Sequence, residues 1–176
     1  DPRGHDLEPE AKIDLARRCE QAALGYDPRI TNSEGGDFGD GHARYAYATS
    51  HGFRGEYRSS SFSLSTSPLA THNGEMQRDG WYHITRKRAS LDAPEAIGRV
   101  AAQRALRRLG GRRVKTAEVP VIFDPQMAAS LIRHIAGAAS GPSLYRGASF
   151  LLNRLGETIA APSITIVDDG TLPGAL

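Results

Sequence analysis

The chain has 176 residues, 39% of them apolar and 24% charged, with a formal net charge of +2. That length suits one ordinary domain or parts of two, and the mixed charge argues neither for an acidic tail nor for bulk electrostatic coating of nucleic acid. The single cysteine, Cys19, excludes an internal disulfide and a multi-cysteine zinc site, and no run approaches the roughly twenty apolar residues that span a membrane. With no disulfide possible, a cytoplasmic setting is expected, and no signal-peptide core stands near the start. The opening "DPRGHDLEPE" and the stop after "DDGTLPGAL" fit a piece of a longer protein.

The first expected element is a helix over "LEPEAKIDLARRCEQAALG". Pro9 suits its first turn and Gly25 its C-terminal cap. Leu15, Ala16, Cys19, Ala22 and Ala23 form a narrow apolar stripe, which makes Cys19 a small core residue rather than a nucleophile. Between residues 28 and 88, serine, threonine, glycine and aromatics replace alanine and leucine. "ARYAYAT", "SFSLSTS" and "GWYHIT" read as antiparallel strands, with breaks at "SHG" and at "THNGE", where Asn73-Gly74 favours a tight hairpin turn. Strand faces this rich in serine predict a sheet that is exposed or covered by another subunit.

"SLDAPEAIGRVAAQRALRRLGG" is the clearest helix. Asp92 and Glu95 have the spacing of a capping pair, and Pro94 lies in the first turn. Ile97, Val100, Ala101, Ala105 and Leu109 form the stripe, and Gly110-Gly111 ends it. "AEVPVIFDP" then reads as a short buried strand. Asp124-Pro125 opens a third helix running to about Gly141, and a further short helix is expected around "GASFLLNRLG". "SITIVDD" reads as a closing strand. The fold class expected is therefore α+β: an antiparallel β-meander with flanking helices, then a β-α-(α)-β segment.

Zinc hydrolases place two histidines and a glutamate on one helix, because the metal needs neutral imidazoles and an open position for water. The third helix offers only His134. Arg133 is permanently protonated and Ala138 has no donor atom, so this segment cannot hold a catalytic metal by itself. Ser50-His51 is a turn pair, not a catalytic one, since such pairs are defined in space. Arg107, Arg108, Arg112, Arg113 and Lys115 could face phosphate. They equally solvate and complement a helix C-terminus, and no aromatics interleave for base stacking, which argues against a nucleic-acid partner. Asp168 and Asp169 follow a strand-like run and precede Gly170; a functional loop and a plain turn fit them equally.

Taken in order, "DPRITNSEGGDF", "SHGFRGEY", "GEMQRDGWY", "LGGRRVKTAEVPVIFDP", "GPSLYRGASFLLNRLGE" and "ITIVDDGTLPG" resemble the central part of the TldD/PmbA family, nearest its PmbA (TldE) branch. The resemblance covers nearly all of residues 10 to 175. It implies that residues 1–113 are the end of an N-terminal α/β region and residues 114–176 the start of a C-terminal core. Family members are described as zinc-dependent proteases and modulators of DNA gyrase, linked to microcin maturation and antitoxin degradation. The TldD partner carries a His-Glu-x-x-x-His helix. In "RHIAGA", Arg133, His134 and Ala138 stand at its three chemically required places. The resemblance therefore implies no metal in this chain, zinc in a TldD-like partner subunit, and a heterodimer that processes unfolded peptides. Tyr145, Arg146, Asp168 and Asp169 become candidates for the peptide path or the subunit interface. An independent hydrolase with a site not displayed in the sequence, and a module binding gyrase or another protein, are the alternatives.

Overall fold

The computed structural model describes residues 7–172; residues 173–176 of the expected second domain lie outside that range. The chain divides into two compact units, one running to Arg113 and the other comprising Val114–Thr171.

The first unit opens with helix α1 (Pro9–Leu24), followed by strands β1 (Ile30–Ala48), β2 (Arg54–His72), β3 (Glu75–Arg78) and β4 (Trp81–Thr85), and closes with helix α2 (Pro94–Arg107). β1 and β2 are nineteen residues each and pair antiparallel, from Ile30 opposite Ala70 to Ala48 opposite Arg54. The "SHG" break is the tip of this long hairpin, where the Thr49 N–H donates to the Phe53 carbonyl at 2.9 Å. At the next turn Asn73 and Gly74 have φ of 50° and 79°, the left-handed pair that a two-residue hairpin requires.

β3 pairs with residues 69–72 of β2, and β4 with residues 62–66, both antiparallel and on the same side. They form one lane interrupted at Asp79-Gly80. A side chain at Gly80 would meet the Ser67 Oγ at 2.7 Å, so glycine lets this lane change course close to β2. The result is the antiparallel meander with flanking helices, in an α+β fold.

β2 alternates strictly. Ser60, Phe62, Leu64, Thr66, Pro68 and Ala70 are buried, while the intervening residues are half-exposed. The period of two sends one set under α1 and α2 and leaves Ser59, Ser61, Ser63, Ser65 and Ser67 on the other face. Phe62, Leu64, Ile97 and Cys19 are fully buried. Burying a side chain the size of Phe62 or Leu64 contributes about 1.5–3 kcal/mol. The polar members of the buried set are satisfied: the Thr66 hydroxyl donates to the Gly35 carbonyl at 2.9 Å, and Ser60 to the Arg86 carbonyl at 2.7 Å.

Two glycines set the layer spacing. A Cβ at Gly36 would lie 2.1 Å from the Ala16 carbonyl oxygen, and one at Gly98 would lie 2.2 Å from that of Cys19. α1 therefore rests directly on β1 and on α2, with ion pairs Lys12–Asp40 (2.8 Å) and Arg18–Glu95 (2.8 Å) at its margins.

α2 buries Ile97, Ala101 and Ala105 as expected, and adds Gly98 and Ala102. The expected Asp92–Glu95 capping pair does not form. Pro94 fixes the first turn so that Ala93 is the N-cap, with no side-chain cap bond. Asp92 falls one residue too early; its N–H donates to His83 Nδ1 at 3.0 Å, and Glu95 serves Arg18 instead.

The second unit contains helices α3 (Pro125–Ala139) and α4 (Gly141–Tyr145). Three expectations fail here. "AEVPVIFDP" and "SITIVDD" form no strand, and their apolar residues are exposed: Ile122 is 98% exposed and Val167 75%. A strand needs a hydrogen-bonded neighbour about 4.8 Å away, and no strand among the described residues of this unit supplies one. The short helix expected around "GASFLLNRLG" is a series of turns, because Gly147, Asn153 and Gly156 take positive φ of 68°, 62° and 84°. The helical turn falls earlier, on α4.

Candidate functional site

α3 starts where local chemistry directs it. The Asp124 Oδ1 accepts the Gln126 N–H at 3.0 Å, and Pro125 occupies the first turn. Along the helix, His134 and Ala138 are four residues apart and share a face. Arg133 and Ala138 are five apart, which separates them by about 140° around the axis. Ala138 is buried, and its carbonyl accepts the Ser149 hydroxyl at 2.6 Å. Arg133 and His134 are exposed.

This donor set does not fit zinc. It offers one imidazole, beside a guanidinium that carries a fixed positive charge. Among the described residues no group of three or more His, Cys, Asp or Glu is placed to hold a metal ion. No step through a metal can be derived from this chain.

What α3 does line is an apolar groove of about 790 Å³. Ile132, Ile135 and Ala139 form one wall, and Ile159, Ile164 and Ile166 the other. Among the described residues Asp168 is the only charged one on the lining, and of the candidate residues it alone reaches the groove. Asp169 turns away into a local loop, where its Oδ1 accepts both the Thr171 hydroxyl (2.6 Å) and the Thr171 N–H (2.9 Å). Those two bonds, the hydroxyl first, hold the Asp169 carboxyl below its ordinary range. Tyr145 is 93% exposed, and the Arg146 Nε donates to the Pro142 carbonyl at 3.2 Å. The structure thus brings Asp168 to α3 but does not gather Arg133, His134, Tyr145, Arg146 and Asp169 around it.

Cys19 behaves as a core residue. Burial pushes its thiol up to about 12, far from the range of a nucleophile. Sequence reasoning missed the Asp79 latch at the strand break: Asp79 lies 3.4 Å from Arg104 and 3.6 Å from Arg108, and the Arg104 guanidinium sits 5.1 Å above the Trp81 ring. The signal available was faint, an acid before glycine and two arginines four apart on a helix.

The PmbA/TldA metallopeptidase central domain matches residues 2–109, and the C-terminal domain of the same family matches residues 116–176. Metalloprotease PmbA of Escherichia coli O157:H7 is 42% identical over 161 residues, which is 92% of this chain and 36% of that protein. A metalloprotease PmbA homolog of Haemophilus influenzae is 39% identical over 154 residues, 88% of this chain and 34% of its own length. The chain therefore spans about a third of these relatives. Among solved structures, a candidate modulator of DNA gyrase from Bacteroides thetaiotaomicron superposes with a TM-score of 0.82 at 32% identity, over 92% of this chain and 37% of that one. A Thermotoga maritima structure shares the fold at 22% identity, with a TM-score of 0.81, covering 89% of this chain and 36% of that one. Matches to both domains, in order along one chain, lead to a single conclusion: the chain belongs to the PmbA/TldD metallopeptidase family.

Proposed function

We propose that the chain is the central part of a PmbA/TldE-type subunit that does not itself hold the catalytic zinc of a peptide-processing protease. The observation that carries this reading is α3. At the places where a TldD-like helix has its required residues, this helix has Arg133, His134 and Ala138, two of which cannot ligate a metal. The zinc and the catalytic glutamate belong to a TldD-like partner in the cytoplasm, and the substrate is an unfolded peptide. Asp168 lines the apolar groove beside α3, which supports a role for it in meeting a peptide N-terminus or a basic side chain.

Two measurements test it. Metal analysis of the purified chain is expected to give no stoichiometric zinc, and an unstructured peptide is expected to survive incubation with it. Adding a subunit with an intact His-Glu-x-x-x-His helix is expected to restore cleavage. One tightly bound zinc per chain, or hydrolysis by the chain alone that His134→Ala abolishes, overturns the proposal.

A further inference from the structure

The chain has three asparagines, Asn32, Asn73 and Asn153. Asparagine is a thermolabile residue, because the next residue's main-chain nitrogen can close a five-membered ring on its side-chain carbonyl carbon. The surroundings of each asparagine decide whether that nitrogen is free to attack. At Asn32 the side-chain Oδ1 already accepts the Ser33 N–H at 2.8 Å, and the residue lies within β1, opposite Leu69. At Asn153 the following N–H, that of Arg154, is committed to the Leu151 carbonyl at 3.1 Å. Ser33 and Arg154 also carry a Cβ beside the attacking nitrogen, which glycine lacks.

Asn73 differs on every count. It is exposed at the tip of the β2–β3 hairpin, outside both strands. Among the described residues, neither its side-chain amide nor the Gly74 N–H makes a hydrogen bond. Around Gly74 no atom lies within 4 Å of the place a Cβ would take. The attacking nitrogen and its target are therefore both unprotected.

We infer that Asn73-Gly74 is a deamidation site and that its conversion releases the end of α2. The Gly74 nitrogen gives up its proton and bonds to the Asn73 Cγ. The Cγ–Nδ2 bond breaks, and Nδ2 leaves as ammonia with that proton. Water then opens the cyclic imide. Its oxygen bonds to one of the two ring carbonyl carbons, the carbon–nitrogen bond there breaks, and the Gly74 N–H is restored. Opening at Cγ leaves aspartate. Opening at the main-chain carbon leaves isoaspartate, whose chain runs through Cβ and Cγ and is one carbon longer. Both products carry a new carboxylate.

The two-residue turn has no room for the extra carbon. Its left-handed pair sets His72 opposite Glu75. Glu75 in turn holds the C-terminal end of α2: its Oε2 accepts the Gly110 N–H at 2.9 Å, and its Oε1 accepts the Gln77 side-chain amide at 2.9 Å. Isoaspartate at Asn73 displaces the Glu75 carboxylate and sets a like charge two residues before it. The Gly110 N–H thereby loses its acceptor.

Ageing the folded chain at mildly alkaline pH, followed by tryptic mass mapping, tests this. The three asparagines fall in separate peptides, Ile30–Arg44, Ser59–Arg78 and Gly147–Arg154. The middle peptide is expected to gain the mass of an amide-to-carboxylate exchange, placed on Asn73 by fragmentation, and to separate into two products. The other two are expected to stay intact. Hydrogen exchange at Gly110 is expected to be faster in the aged chain. Asn73→Gly keeps a pair suited to the turn but removes the amide, so its Gly110 exchange is expected to stay constant with age. Survival of Asn73 in the folded chain under conditions that convert it in urea, or equal conversion at Asn32 and Asn153, overturns the site. Conversion of Asn73 with Gly110 exchange unchanged overturns the release of α2.

Discussion

The two units of this chain differ in how their helices find partners. In the first, α1 and α2 cover one face of a sheet, and every buried apolar residue among the described ones lies there, except Ala138. In the second, α3 forms on equally clear local signals but stands over a groove, with Leu131 and Ile132 still 44% and 40% exposed. Helix formation is a local decision, made by Asp124 and Pro125. Burial is a regional one, and the second unit lacks the sheet that would complete it.

The largest expected contrast comes from truncating apolar side chains in each unit. Phe62→Ala removes a fully buried ring and is expected to cost about 3–5 kcal/mol, whereas Ile122→Ala should stay within about 0.5 kcal/mol. Urea unfolding followed by tryptophan fluorescence, which reports Trp81 of the first unit, measures the first. Hydrogen exchange resolved by unit measures both. Equal losses would erase the contrast.

Gly98→Ala comes next. Its methyl group would press on the Cys19 carbonyl, so a loss of about 1–3 kcal/mol is expected in the first unit, with the exchange of α3 unchanged. Asp124→Ala inverts the test: about 1 kcal/mol of helix stability should be lost from α3 alone, read as faster exchange of its first-turn amides.

At neutral pH the smallest effects are those of titration, which emerge only at the extremes of the pH range. The Cys19 thiol is raised in the folded chain from 9.0 to about 12, so folding keeps the proton that the unfolded chain releases. The associated stability is complete below pH 9 and is lost as pH rises toward 12; Cys19→Ala should flatten that slope. The Asp27 carboxyl, held down at about 2 by hydrogen bonds from the Arg29 side chain and N–H, acts in the opposite direction. Its contribution is present above pH 3.8 and fades as pH falls toward 2. Asp27→Asn should shrink the acid-side change in urea midpoint. A steeper acid response in the variant would contradict this.

Much of the first unit was legible because its signals are periodic. "SFSLSTS" alternates, Asn73-Gly74 dictates a turn, and Ile97, Ala101 and Ala105 recur at helical spacing. The length of β1 was not legible, since "GGDFGDGH" carries glycines and acids that disfavour strands; pairing with β2 overrides them. In the second unit "VPVIFD" and "SITIV" have strand composition without strand neighbours, and composition cannot supply those. The α3 replacements could be read directly from Arg133 and Ala138, because ligand chemistry does not depend on the fold. The groove could not, since it joins Ile132 to Ile164 across more than thirty residues.

β2 also sets the reading frame of the first unit. Its even-numbered residues face the helices and its odd-numbered ones face away, with no bulge between Arg54 and Thr66 to absorb an error. Deleting one residue between Ser59 and Ser61 would leave every amino acid downstream familiar and every one of them on the wrong side, hydroxyls inward and Phe62 and Leu64 outward. Drift in this segment is therefore expected to be by exchange and not by gain or loss of residues, and a coding-sequence library of in-frame single-codon deletions should show a window of intolerance over β2, bounded by the two hairpin turns.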